Sequence, residues 1–148
     1  MTEAMAAGRS PRRLALAAAL AAAVAAPAAA APGDLQYTTI VSHSPQAFVK
    51  ALRAGEDFVK GGGGRRFRII LASAGVIVAI PSTSISQLEY LKARRPRGLE
   101  IIACKETLDA LARANKRRLP TLPGISVQPC ASLRNKMNVA GWQIAPGI

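Results

Sequence analysis

Between Leu99 and Asn115 an apolar run, Leu-Glu-Ile-Ile-Ala-Cys, passes without a linker into a segment whose Leu108, Leu111, Ala112 and Asn115 recur at helical spacing. A strand that turns directly into a helix is the repeating unit of an α/β fold, and the same grammar recurs along the chain. Tyr37 to Ser42 is β-branched and alternating. Ser44 then supplies an N-cap hydroxyl and Pro45 a first helical residue. Phe48, Leu52, Gly55 and Val59 follow at intervals of 4, 3 and 4 residues on one helical face, before Gly61 to Gly64 close the segment.

Phe67 to Ala72 reads as a second strand, and Ile85, Leu88 and Leu91 mark a helix begun near Ser82 or Ser84. Val76 to Ile80 either extends that strand or lines a loop. Leu99 to Ala103 is the third strand and Ile125 to Gln128 the fourth. Leu133, Met137 and Ala140 mark the last helix, and Trp142 to Ala145 a closing strand. Strands apolar on both faces need helices on both faces, so the expected fold is an α/β three-layer sandwich around a five-stranded, mainly parallel sheet. Right-handed crossovers leave few topologies, and the flavodoxin-like order 2-1-3-4-5 is the commonest. It would place the switch point between strands one and three, whose carboxyl ends carry His43 and Cys104, with Cys130 at the end of strand four. The candidate catalytic side chains Cys104, Cys130 and His43 would then share one rim.

Cys104 sits where a helix presents unpaired amides, which favours a thiolate; the bland alternative is a small buried hydrophobe, as most free cysteines are. Cys130 opens the last helix in the same way. Adjacent parallel strands lie about 4.8 Å apart, within the roughly 4.4–6.8 Å between α-carbons that a disulfide spans. A structural staple, a redox pair and two independent thiols all remain open. His43 could accept a proton from Cys104, or be a loop histidine facing water between Ser42 and Ser44. Two cysteines and one histidine make an incomplete zinc set, so no metal and no cofactor is expected. Gly61 to Gly64 follows a helix, unlike a phosphate loop, and reads as a connector.

Arg9, Arg12 and Arg13 precede an apolar run, Leu14 to Val24, that closes on Ala28 to Ala31. That order is a signal peptide over residues 1–31, with residues 32–148 as one α/β domain in the periplasm or outside the cell. The apolar run is shorter than the roughly 20 residues of a membrane span, so no stable span is expected after cleavage. Ser10-Pro11-Arg12-Arg13 also suits a twin-arginine signal. Loss of residues 1–31 lowers the net charge from +12 to +10, which points to nucleic acid, anionic lipid or an acidic partner. Export and the scarcity of aromatic residues exclude nucleic acid. The clusters Arg65/Arg66/Arg68, Lys92/Arg94/Arg95/Arg97 and Lys116/Arg117/Arg118 fall at element ends, where cations are favoured in any case.

The chain resembles the DsrE/DsrF-like superfamily of small α/β proteins associated with bacterial sulfur oxidation and sulfur relay. The resemblance rests on Ile40-Val41-Ser42, Ile69-Ile70-Leu71 with Gly75-Val76, Ala103-Cys104 with Thr107-Leu108, and Gly141-Trp142-Gln143-Ile144-Ala145-Pro146. It implies a five-stranded fold, a persulfide-carrying cysteine at the position of Cys104, and a homo-oligomer. The chain departs from the family at Lys105-Glu106, where a small pair is frequent, and in its extra thiol, Cys130. The expected function is an exported sulfurtransferase or sulfur carrier, in which Cys104 accepts sulfane sulfur from an anionic sulfur species and passes it to a partner thiol protein. A non-enzymatic binding module and a Cys104/Cys130 thiol–disulfide protein are the alternatives.

Overall fold

A computed structural model of the protein describes residues 31, 33–82, 84–92 and 95–148. The expected signal peptide therefore lies, but for Ala31, outside the described residues. Five strands, β1 (Leu35–Ile40), β2 (Arg66–Leu71), β3 (Leu99–Cys104), β4 (Ile125–Gln128) and β5 (Gln143–Ile144), form one sheet in which every pair is parallel. Helices α1 (Pro45–Lys60), α2 (Ile85–Lys92), α3 (Lys105–Ala114) and α4 (Cys130–Val139) connect them. The molecule is a three-layer α/β sandwich. Among the described residues no helix is long and apolar enough to cross a membrane.

The strand order is 4-3-2-1-5, not 2-1-3-4-5. From β1 to β4 the chain advances one strand at a time in a single direction, and right-handed crossovers then put α1, α2 and α3 on the same face. Only the last connection reverses. It carries α4 over the opposite face and delivers β5 beside β1. Connections leaving neighbouring strands diverge to opposite faces at β3 and β4, and that is the switch point. The expected location between β1 and β3 is corrected by the intervening β2.

Local chemistry explains the elements. The Ser44 hydroxyl accepts the Ala47 amide at 3.3 Å, Pro45 starts α1, and Phe48, Leu52, Gly55 and Val59 are all buried. Gly55 lets this helix close on Phe67 and Leu99, which share one face of the sheet. The segment left open as strand or loop is a 3₁₀ helix, Ser73–Ala79, with Val76 and Val78 buried. Gly75 is required there because a Cβ would collide with the carbonyl oxygen of Ile40.

Among the described side chains of α2, which do not include that of Ile85, Gln87 and Tyr90 are buried, whereas Leu88 and Leu91 are half exposed, the reverse of the apolar spacing. Polar bonds decide this. The Gln87 side chain donates to the Ile80 carbonyl and accepts the Ser82 amide, and Tyr90 donates its hydroxyl to the Pro123 carbonyl at 2.7 Å while its ring meets Phe48. A tyrosine or glutamine with its polar end satisfied is as good a core residue as leucine.

The other face carries Tyr37, Thr39, Ile70 and Cys104, and α4 covers it with Leu133 and Met137. Beyond the reach of α4 it turns polar. Arg68 pairs with Glu100 at 2.6 Å and lies 4.2 Å over the Trp142 ring.

Gly75→Ala is expected to destabilise the fold by about 3 kcal/mol, because the clash is with backbone that a rotamer change cannot relieve. Urea unfolding measures it.

Candidate functional site

Cys104 is the last residue of β3 and the N-cap of α3, and Cys130 is the first residue of α4, after the Pro129 N-cap. Cys104 pairs with Gln128 across β3 and β4, so two residues beyond that pair the chain returns Cys130 to the same level. The two sulfurs are joined in a disulfide, with α-carbons 5.2 Å apart and a sequence separation of 26. Of the three arrangements left open by the sequence, the bond fits the structural staple and the redox pair and not two independent thiols. Both sulfurs lie at helix N-termini, on the rim where α3 and α4 part.

The two cysteines differ in exposure. Cys104 is 3% exposed, against the expectation of an open thiolate, because alternation turns its side chain onto the α4 face beneath that helix. Cys130 is half-buried. Together they line a cavity of about 60 Å³ with Tyr37, Thr39, Arg134 and Met137, room for a small anion or a water or two. Tyr37, Thr39 and Arg134 also line a wider open groove of about 520 Å³ that runs to Ile144 and Ile148.

His43 does not join them. It is exposed on the β1–α1 loop, and since β2 separates β1 from β3, it stands about two strand spacings, roughly 10 Å, to the side. Proton transfer from Cys104 to His43 has no support in this geometry.

Sequence reasoning passed over Glu106. Its carboxylate reaches from the first turn of α3 to α4 and accepts the amides of Cys130 at 3.0 Å and Ala131 at 3.2 Å. The signal was Pro129: a proline at the N-cap has no side-chain acceptor, so the free amides of α4 had to find a partner elsewhere. The Cys130 amide, then Glu106's own and that of Ala131, hold this carboxyl below its ordinary range, against a smaller opposing desolvation, and the neighbouring Lys105 charge adds to the effect. Lys105 itself bridges to Asp109 at 2.5 Å. Arg134, four residues after Cys130, was likewise not singled out.

No protein-family model matches this chain, and no curated protein matches it.

Opening the disulfide by replacing both cysteines with alanine is expected to cost about 3.5 kcal/mol, the loop-closure value for a ring of this length, read as a lower denaturant midpoint. For Glu106 the folded carboxyl titrates below its unfolded value. Its stabilisation is therefore complete above the ordinary carboxylate range and disappears as pH falls through the depressed folded value. Urea midpoints of wild type and Glu106→Gln should differ at neutral pH and converge in acid.

Proposed function

We propose that this protein is an exported sulfur-handling protein whose working group is the Cys104–Cys130 pair. The observation that carries this is the unequal exposure of the two bonded cysteines at the switch-point rim: Cys130 is half-buried and Cys104 almost wholly buried, and both line one small cavity. Thiol–disulfide exchange needs one sulfur open to an incoming anion and another able to leave as thiolate.

The step is an in-line displacement. A hydrosulfide anion attacks Sγ of Cys130, the S–S bond to Cys104 breaks, and its electron pair leaves on Cys104. Cys130 then carries Cys–S–SH and Cys104 is a thiolate. Sulfide sulfur has been oxidised to the persulfide level and the disulfide reduced, with no further oxidant. An acceptor thiolate that takes the outer sulfur from Cys130 leaves the dithiol. With an organic thiolate in place of hydrosulfide, the first step gives a mixed disulfide on Cys130, and Cys104 can reverse it. Arg134 on the cavity wall, together with the basic surface, favours anionic reagents.

This reading keeps the sulfur chemistry that the DsrE/DsrF-like resemblance implies and moves the sulfur-bearing atom from Cys104 to Cys130. The partner is an anionic sulfur species first and a thiol protein second.

Native oxidised protein treated with hydrosulfide and then alkylated is expected to gain, by intact mass, one H₂S beyond the alkyl groups on the persulfide and the freed thiol, with the extra sulfur on the Cys130 peptide. Protein that keeps its disulfide through this treatment, while native by circular dichroism, would assign the bond as a structural staple and end the proposal.

A further inference from the structure

Resting on the exchange reading above, we infer that Glu106 is a positioning residue that decides which sulfur of the pair takes the negative charge when the bond opens. A cysteine at a helix N-terminus acquires a low pKa because unpaired amides face its sulfur. At α4 those amides are occupied: Glu106 binds the first two, on Cys130 and Ala131. A thiolate on Cys130 would forgo those donors and sit against a carboxylate. Cys104, the N-cap of α3, makes no side-chain cap bond, and at that helix end the carboxylate takes one amide, that of Glu106 itself, against two at the start of α4. Glu106 therefore biases the bond to open with Cys104 leaving and with the incoming group on Cys130.

Near Cys130, from α3 come Glu106 and Lys105, the latter engaged by Asp109; from α4 comes Arg134, one turn along; from β1 the cavity receives Tyr37. Arg134 favours a Cys130 thiolate, so the bias depends on Glu106 outweighing it through direct hydrogen bonds to the helix end. On the strands, Glu100 is bonded to Arg68, and Gln128 beside Cys104 is neutral.

The test reads the thiols of the reduced protein one at a time. Iodoacetamide alkylation is followed against pH and resolved by peptide mass, in wild type and in Glu106→Gln. In wild type the Cys130 midpoint is expected at or above the ordinary thiol value of about 8.5. In the variant it should fall by about one unit, a tenfold rise in thiolate at fixed pH, and by more than the Cys104 midpoint, since two of the amides the carboxylate holds belong to α4 and one to α3. Because nucleophilicity declines with pKa, the net alkylation rate of Cys130 near pH 7 should rise about threefold. A general loosening of α4 would speed both cysteines without moving the Cys130 midpoint.

A wild-type Cys130 midpoint well below 8.5, or one that stays put in a native variant, overturns the inference. The wild-type measurement decides even if the variant does not fold. The exchange reading is judged separately, by the hydrosulfide adduct: an adduct with an unmoved midpoint removes only the role of Glu106, and a moved midpoint without an adduct removes only the exchange.

Discussion

The handedness of β-α-β crossovers governs this architecture. Three successive steps in one direction commit α1, α2 and α3 to one side of the sheet, and the remaining apolar face can be covered only if the chain reverses. The reversal comes after β4, and α4 is the one helix that serves it among the described residues. A ten-residue helix, about 15 Å long, has to cover what three connections cover on the other side. Its buried contribution is small, Leu133 and Met137, and the strand residues outside its footprint are polar for that reason.

A helix with so few core contacts has to be held at its ends. At the start, the disulfide ties its first residue to the end of β3, and the Glu106 carboxylate takes its first two amides. At the finish, the Trp142 amide bonds the Met137 carbonyl and the indole packs under Arg66 and Arg68. The features that secure α4 are thus the same ones that define the site. The exchange proposed at Cys130 would be coupled to the anchoring of a whole layer, since breaking the bond to Cys104 leaves the Glu106 contacts at that end.

The sequence showed the elements more clearly than their arrangement. Ser44-Pro45 and the Phe48 to Val59 spacing specify α1 by local rules alone, and the uninterrupted Ile-Ile-Ala-Cys run specifies β3 with its helix-end cysteine. Strand order is a different kind of information. It depends on which edge β5 joins, where Gln143 and Ile144 carry too little pattern to say, and on which side of β1 the third strand is added, where β2 in fact intervenes between β1 and β3. That error placed His43 near Cys104, because the histidine's location was argued from topology and not from its own surroundings. The proximity of the two cysteines survived, since β3 and β4 are adjacent in either order. On α2 the apolar spacing misled because hydrogen bonds let Gln87 and Tyr90 take the interior. Glu106 was hidden because a cap borrowed from another helix leaves no spacing in the sequence; only the missing acceptor at Pro129 hinted at it.

Charge separates the local from the global in this site. The sequence as a whole is strongly basic, yet screening at physiological ionic strength confines an exposed charge to about 8 Å. Clusters such as Lys116, Arg117 and Arg118, beyond the end of α3, can steer an anion toward the molecule but cannot set which sulfur it meets. That choice belongs to the groups in contact with the pair: Arg134 on the cavity wall, and Glu106 across the first turn of α4. Their signs are opposite and their positions differ. In the proposed exchange, the cation beside the cavity would favour an incoming anion, and the carboxylate on the helix end would disfavour a thiolate on Cys130. An arrangement of this kind favours the arrival of negative charge at one sulfur and its departure on the other, which is the polarity a directional exchange requires.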